Sequence, residues 1–232
     1  MKIGVIGSNE RGIMPFIGEI ANTEVSEHSM LKFYSGMHEG IEVVSALGEA
    51  YKINSATAAQ ILINNFNVTH IVLIGFAGAL NKQLDVGDTV ISSEIAYYDA
   101  AHDVLTEYHP WMREICFRSD AKLLMLCERV AKSLSVSSRF HVGRVVTGKK
   151  FISHNERDDI IEKLSPLCVD TESANVAYAC YVNSIPFIAI HSILDNENEK
   201  DSEIFKQNIK LTIYNSINLI KGLIKKVSVL ER

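Results

Sequence analysis

The segment at 166–200 reads PLCVDTESANVAYACYVNSIPFIAIHSILDNENEK, and it decides the fold because it predicts a buried helix followed by a buried strand. Small and apolar residues occupy nearly every face of CVDTESANVAYACYVN, as in a helix that is covered all round. Asp170 or Thr171 is the expected N-cap of this helix. Pro186 then introduces the apolar run PFIAIHSIL, which is typical of a strand covered on both faces of an α/β sheet.

Two carboxylates stand at the ends of these elements. Glu172 opens the helix and Asp195 closes the strand. Because ligands of open α/β sheets bind at the carboxyl ends of strands, both are candidate catalytic residues. A structural role for each stays open, since Glu172 can complement the helix dipole and Asp195 can cap the next helix.

Composition favours a single-domain protein with a small-molecule partner. The 232 residues are 47% hydrophobic and contain no linker or repeat, which predicts one domain over 1–232. A net charge of −5 without clustered lysine or arginine argues against nucleic acid or a membrane as the partner. The amino-terminal MKIGVIG lacks a signal-peptide pattern, so we expect a cytoplasmic protein. Four cysteines without a CxxC motif predict reduced core thiols, and no metal or cofactor is expected.

The amino-terminal half predicts further sheet elements. KIGVIG at 2–7 reads as a buried strand that opens into a loop, SNERGIM. Gly4, Gly7 and Gly12 fit neither dinucleotide-binding nor triphosphate-binding motifs. Two strands at 31–35 and 41–47 are expected around a turn at 36–40. The apolar spacing of KINSATAAQILINNF predicts a helix.

A glycine-containing stretch follows the next predicted strand. HIVLIGFAGAL should be a buried strand that runs into a loop with Gly75 and Gly78, followed by a turn and a strand in LDVGDTVISSE. Glycines in such a loop let the backbone approach a ligand. A tight turn without a ligand is the favoured interpretation when this stretch is taken alone.

The remaining segments are less specific. Aromatic and histidine residues are frequent at 95–118 without a metal-ligand spacing, so an active-site wall, a subunit contact and a surface loop all remain possible. A helix near 121–135 and a strand in RFHVGRVVTG come next, and isoleucines at helical spacing from Ile204 predict a packed terminal helix.

Several stretches together resemble the methylthioadenosine/S-adenosylhomocysteine nucleosidases, within the purine nucleoside phosphorylase superfamily. They follow that family's order and spacing over nearly the whole chain: MKIGVIG, VLIGFAGAL with LDVGDTVIS, YYDA, VGRVVTGKKFI, CVDTESANVAYAC and IPFIAIHSILD. The resemblance implies a single α/β domain with a central mixed β-sheet flanked by helices, usually a homodimer. It also implies cleavage of the N-glycosidic bond of an adenine nucleoside.

The resemblance assigns roles to individual residues. Asp195 matches the acid that protonates the purine at N7, and we expect the apolar run before it to bury it and so favour its protonated form. Glu172 matches the carboxylate that holds the ribose hydroxyls, with Thr171 replacing a methionine. Phe151 matches the aromatic residue that stacks on the base, and Ile152 matches the residue whose backbone bonds to the edge of the base. Phe76, Ala77 and Gly78 match the loop beside the ribose. Phe205 matches a residue at the pocket for the 5′ substituent.

The water-handling positions differ from those of the family. Gly12 replaces the glutamate that activates water, and His191 replaces an arginine that helps to position it. One explanation is a hydrolase with a relocated base, Glu10 or Glu49, assisted by His191, although a lone histidine in an apolar strand is often a core residue. A phosphorylase would use Arg11, but Leu73 stands where a second arginine is expected. A nucleoside-binding homologue with little turnover is the third explanation.

Overall fold

The computed structural model describes residues 1–48, 52–100, 116–134, 139–148, 152, 154–195 and 202–230. The strands are β1 (Lys2–Gly7), β2 (Ala21–His28), β3 (Leu31–His38), β4 (Ile41–Leu47), β5 (His70–Ala79), β6 (Thr89–Tyr97), β7 (Cys116–Arg118), β8 (Phe140–Thr147), β9 (Cys168–Asp170) and β10 (Phe187–Asp195). The helices are α1 (Glu10–Ile17), α2 (Lys52–Phe66), α3 (Ala121–Ser133), α4 (His154–Leu164), α5 (Ser173–Val182) and α6 (Ser202–Leu230). The predicted α/β class is confirmed.

The strands of the described residues form one mixed sheet. Their order is β10-β6-β8-β9-β5-β1-β4-β3-β2, with β7 paired to β6. A further pairing between β10 and β5 closes β5, β9, β8, β6 and β10 into a ring. Because β4, β1, β5 and β10 are parallel to their neighbours in this group, their carboxyl ends lie at one edge of the sheet, which we call the carboxyl edge.

Alternating residues of the central strands pack to opposite sides of the sheet. On β5, Leu73 packs into one apolar cluster while Val72 and Ile74 pack into another. Alanines, valine and leucine of α2 and α5 cover the first side, and apolar residues of α1, α3 and α6 cover the second. The near-continuous apolar runs of the central strands follow from this double coverage.

The segment after β1 is a helix and not the predicted loop. Ser8 and Asn9 form the whole connection before α1 begins at Glu10. Asn9 caps α1, since its side-chain oxygen accepts a hydrogen bond of 2.8 Å from the backbone N–H of Gly12. Gly12, the one glycine of SNERGIM, lies within α1 and does not interrupt it.

The hairpin of β3 and β4 is tighter than predicted. Its loop consists of Glu39 and Gly40, both with positive φ, as the two-residue turn of a twisted hairpin requires. Gly36, expected in the turn, lies within β3, where a Cβ atom would come within 2.5 Å of the Ala21 carbonyl oxygen on β2. β2 itself was not predicted, because it is an edge strand with mostly exposed residues.

The other predicted elements occur at or close to their expected positions, whereas the short strands β7 and β9 and helix α4 were not predicted. All four cysteines are free thiols as expected, and Cys127, Cys168 and Cys180 are buried. In the described part of the chain, no helix is both long and apolar enough to cross a membrane.

Candidate active site

Glu172 immediately precedes α5 and is buried, with 5% of its surface exposed. Its carboxylate accepts hydrogen bonds from the backbone N–H of Thr171, at 3.1 Å, and from the Thr171 hydroxyl, at 2.8 Å. Burial, followed by the negative charge of Asp170, raises the pKa of Glu172 to about 7. A carboxyl group with this pKa changes its charge near neutral pH.

Asp195 ends β10 at the carboxyl edge, near the start of α5. It is the register partner of Gly78 on β5, and Gly78 is the register partner of Val169 on β9. Val169 is three residues before Glu172, so the sheet brings both predicted carboxylates to one region. The side chain of Asp195 is exposed, and the expectation that it is buried is wrong. Full burial of the strand ends at Ile193, and Leu194 is half-buried.

The glycine-containing stretch lies inside β5 and not in a loop. Phe76 and Ala77 are register partners of Ser192 and Ile193 on β10, and Phe76 is half-buried. A Cβ atom on Gly75 would lie 2.8 Å from Ser8 Oγ and 3.1 Å from His191 Nδ1. Gly75 therefore allows close packing between β1, β5 and β10. Gly78 has more room, since among the described residues a Cβ atom there would meet Val169 alone, at 3.6 Å.

A buried polar cluster lies directly behind Glu172, and the sequence did not predict it. Its members are Thr147, Asp170, Ser173 and His191, which come from β8, β9, α5 and β10. Asp170 Oδ1 accepts a hydrogen bond of 2.5 Å from Thr147, and Asp170 Oδ2 lies 3.0 Å from His191 Nε2. The Ser173 hydroxyl donates to Asp170 and lies 2.7 Å from His191 Nε2. We call these four residues the Asp170 cluster.

Charge within the Asp170 cluster favours an ionised Asp170. Burial opposes ionisation, but the charge of His191 and hydrogen bonds from His191, Ser173 and Thr147 outweigh it and hold the pKa of Asp170 below its usual range. The N-cap residue of α5 is Glu172, without a side-chain capping bond, so the predicted N-caps Asp170 and Thr171 are wrong; Asp170 nevertheless accepts a hydrogen bond of 3.0 Å from the Ser173 N–H.

His191 is fully buried on β10, as expected of a core histidine with a hydrogen-bond partner. The partner is Asp170, through Nε2. Nδ1 is buried as well, and no donor or acceptor among the described residues reaches it. The side of His191 that bears Nδ1 lies next to Gly75.

The remaining predicted residues are described to different extents. Glu10 is exposed in the first turn of α1, at the carboxyl edge. Ile152 is half-buried and packs against an apolar cluster that includes Leu80 and Val146. Phe151 and Glu49 lie outside the described residues, as does most of the aromatic segment, and only the backbone of Phe205 is described, within α6.

The described part of the aromatic segment packs beside α5. The Tyr97 hydroxyl donates a hydrogen bond of 3.0 Å to Asn175 Oδ1, and the Tyr97 ring meets Phe117 edge-on at 6.3 Å. Burial, followed by the charge of Asp99, raises the pKa of Tyr97 well above its ordinary value, so its hydroxyl stays protonated. In the described ranges, no three His, Cys, Asp or Glu side chains are grouped to hold a metal ion.

Comparison with protein families relates this arrangement to known enzymes. Residues 2–225 match the family model described as the phosphorylase superfamily. The 5′-methylthioadenosine/S-adenosylhomocysteine nucleosidase of Oceanobacillus iheyensis is 30% identical over 232 residues, which cover 98% of this chain and 100% of that protein.

Solved structures agree with the sequence comparison. A nucleosidase of the same name from Neisseria meningitidis, in complex with methylthio-immucillin-A, has a TM-score of 0.87 and 26% identity over 97% of this chain and 99% of its own. The enzyme from Colwellia psychrerythraea, in complex with adenine, has a TM-score of 0.86 and 26% identity over 96% and 94% of the two chains.

Proposed function

The chain belongs to the 5′-methylthioadenosine/S-adenosylhomocysteine nucleosidases of the phosphorylase superfamily. From this premise we propose that it hydrolyses the N-glycosidic bond of an adenine nucleoside such as 5′-methylthioadenosine or S-adenosylhomocysteine. The observation that carries the proposal is the convergence of a buried glutamate, Glu172, and an exposed aspartate, Asp195, at one region of the carboxyl edge. Cleavage of a nucleoside leaves positive charge on the sugar and negative charge on the base. One carboxyl group can stabilise the positive charge on the sugar while the other donates a proton to the base.

Asp195 is the general acid in this mechanism. As the bond between C1′ and N9 breaks, its electron pair moves to the purine, and the Asp195 carboxyl group donates a proton to N7. The base then leaves as a neutral molecule. The exposed position of Asp195 lets a purine reach it from solvent.

Glu172 is the ribose anchor. As an anion it accepts hydrogen bonds from the ribose hydroxyls and stabilises the positive charge that develops on the sugar. The two hydrogen bonds from Thr171, one to each carboxylate oxygen, fix the orientation of the carboxylate. Thr171 thus acts on the substrate through Glu172.

The rest of the pocket follows the family pattern. Phe151 stacks on the base, and the backbone of Ile152 reads its edge. Phe76, Ala77 and Gly78 line the ribose. Gly78 has no side chain, and a Cβ atom there would lie 3.6 Å from Val169. Phe205 contacts the 5′ substituent.

Water is the nucleophile, and Glu10 accepts its proton. The Ser8 N–H bonds to the Ile74 carbonyl at 2.9 Å, so the chain enters α1 directly beside the glycine stretch of β5. Glu10 is two residues further on and exposed, where a water molecule can reach it. Glu49 is the alternative base, because the Gly48 N–H bonds to the Gly7 carbonyl at 2.8 Å and also lies at this edge. The assisting role proposed for His191 is indirect, as its Nε2 is bonded to Asp170.

A phosphate-dependent reaction is less favoured. Arg11 is exposed and available, but position 73, where a second arginine would be needed, is a fully buried leucine. A phosphate ion held by one arginine would lack most of its charge-assisted hydrogen bonds.

We expect 1–232 to act as one cytoplasmic domain, without a cofactor, in a homodimer. Apolar side chains are exposed on the neighbouring helices α2 and α5, namely Ile53 (78% exposed), Tyr181 (42%) and Val182 (44%). The two helices are linked by a hydrogen bond of 3.0 Å from Asn183 to Gln60. Burial of this surface against a second copy of the chain would stabilise a dimer. A monomer mass from light scattering after gel filtration would contradict the homodimer.

Release of free base tests the function. Methylthioadenosine, S-adenosylhomocysteine, adenosine and inosine are each incubated with the protein, with and without phosphate, and the products are separated by chromatography. We expect adenine from the first two substrates at a rate that phosphate does not change. A requirement for phosphate indicates a phosphorylase, and ligand-dependent melting without any release indicates a binding protein.

A further inference from the structure

The Asp170 cluster ties three strands to the start of α5. Thr147 ends β8, Asp170 ends β9 and His191 lies on β10, while Ser173 is the first residue of α5. All four side chains are buried, and each has a hydrogen bond within the cluster. Hydrogen bonds between buried side chains hold these four residues in one arrangement, although Nδ1 of His191 has no partner among the described residues.

The cluster fixes the first turn of α5 in particular. The N–H of Ser173 donates to Asp170 Oδ2 at 3.0 Å, and the N–H of Ala174 donates to Thr147 Oγ1 at 3.0 Å. These two backbone groups would otherwise lack partners at a helix start. Glu172 is the residue directly before them, so the position of its carboxylate depends on the same contacts.

His191 is the member that connects this turn to the strand of the general acid. It lies four residues before Asp195 on β10, and its Nε2 is 3.0 Å from Asp170 Oδ2. A buried carboxylate that loses a hydrogen-bond partner is destabilised. Asp170 therefore needs His191 in order to remain an anion and to keep its bonds to α5.

We propose that His191 is a positioning residue of the active site: paired with Asp170, it fixes the start of α5 so that the carboxyl group of Glu172 is held at the ribose. The inference rests on the proposed role of Glu172. His191 acts through Asp170 and does not touch the substrate.

The two members of the pair act on Glu172 with opposite signs. The charge of Asp170 raises the pKa of Glu172, after burial, and the charge of His191 lowers it. The phenol group of Tyr97 lies within the electrostatic reach of Asp170. Removal of the charge of His191 should therefore keep the proton on Glu172 to higher pH, and removal of the charge of Asp170 should release it at lower pH.

Variants of the pair test the proposal on the ligand-free protein. Glutamate side chains are labelled with carbon-13, the Glu172 resonance is identified by its loss in Glu172→Gln, and its titration midpoint is measured by NMR. His191→Gln keeps a donor but removes the charge, and we expect an upward shift of about one pH unit. Asp170→Asn should shift the midpoint downward. A purely structural role would give unchanged midpoints, or a shift in the same direction for both variants, and either result would overturn the proposal.

A matched control exists elsewhere in the fold. His141 Nε2 lies 3.0 Å from the buried carboxylate of Asp88, at the opposite end of β8 from Thr147. His141→Gln breaks a second His–Asp pair, in which Asp88 keeps Arg139 as a partner, and should leave the Glu172 midpoint unchanged. If only one of His191→Gln and Asp170→Asn folds, the direction of its shift decides, and failure of both to fold would mean a structural role and overturn the proposal.

Activity separates this inference from the proposed function. If the parent releases base, His191→Gln should lower kcat/KM below neutral pH and move the acidic limb of its pH profile upward, with recovery at high pH. If the parent releases no base but the midpoints move as described, the proposed function fails and the positioning of Glu172 by His191 stands.

Discussion

Asp195 on β10 is the register partner of Gly78 on β5. The pairing places an exposed carboxyl group beside a residue that has no side chain, at the carboxyl edge of the sheet. A planar base and its sugar need both features, because the acid must reach the base while the backbone approaches the sugar. Changes at these two positions should therefore affect catalysis more than stability.

Asp195→Asn should lower kcat by about a hundredfold or more, because an amide cannot donate the proton that makes the base a good leaving group. Since Asp195 is exposed, the free energy of unfolding should change by less than about 0.5 kcal/mol. Initial rates of adenine release and thermal melting measure both quantities. Asp158→Asn, at an exposed position on α4, is the matched control. Unchanged base release from Asp195→Asn would refute the assignment of the general acid.

Substitution of the two glycines of β5 should have different consequences. Gly78→Ala adds a methyl group in ordinary contact with Val169, so melting should stay near that of the parent while KM rises. Gly75→Ala forces Ser8 or His191 to move and should lower the free energy of unfolding by about 1 to 3 kcal/mol. Melting curves and steady-state kinetics compare the two. An unchanged KM in Gly78→Ala would contradict the contact of this residue with the ribose.

Glu172 should make stability depend on pH. Its pKa is about 7 in the folded protein, against an ordinary value of 4.5. Between these values the folded state binds more protons than the unfolded state, so the contribution of Glu172 to the free energy of unfolding falls as pH rises. The loss from pH 4.5 to above pH 7 is roughly 1 to 3 kcal/mol.

Glu172→Gln cannot ionise and should escape this loss. Relative to the parent, the variant should gain stability between pH 5 and pH 8 in thermal or denaturant unfolding, although it binds the nucleoside more weakly. A stability difference that is the same at both pH values would contradict the buried, titrating carboxyl group. Equal affinity of the parent for a nucleoside and its free base would contradict the ribose contact.

Glu10→Gln should lower kcat by about a hundredfold and leave KM near that of the parent, because the proton of the attacking water loses its acceptor. Glu42→Gln is the control, since Glu42 pairs with Lys2 at the other end of β1 and is exposed. Turnover is measured at saturating substrate. An unaffected kcat in Glu10→Gln, with a lower kcat in Glu49→Gln, would move the role of base to Glu49.

Local patterns in the sequence were sufficient for the buried elements. The apolar run at PFIAIHSIL and the small residues after Glu172 predicted β10 and α5 because burial on all sides leaves the same signature wherever the element pairs. Edge strand β2 was missed because its exposed residues carry no such pattern. The glycines of β5 were assigned to a loop because a glycine needed for packing and a glycine needed for a turn look alike in one sequence.

The Asp170 cluster could not be predicted for a different reason. Asp170 and His191 are separated by 20 residues, and they meet only because β9 pairs with both β8 and β5 while β10 pairs with β5. No spacing rule within one element encodes that register. Asp195 was expected to be buried for a related reason, since the extent of an apolar run does not show where a strand passes beyond its covering helices.

The origin of the oxygen atom in the sugar product tests the central claim most directly. The protein is incubated briefly with 5′-methylthioadenosine in phosphate buffer made with oxygen-18 water, and the products are analysed by mass spectrometry. Hydrolysis at the carboxyl edge predicts free adenine and a free methylthioribose that carries one oxygen-18 atom. A phosphorylated sugar would contradict hydrolysis. Nucleoside that stays intact after long incubation, under conditions in which an active relative cleaves it, would contradict it as well.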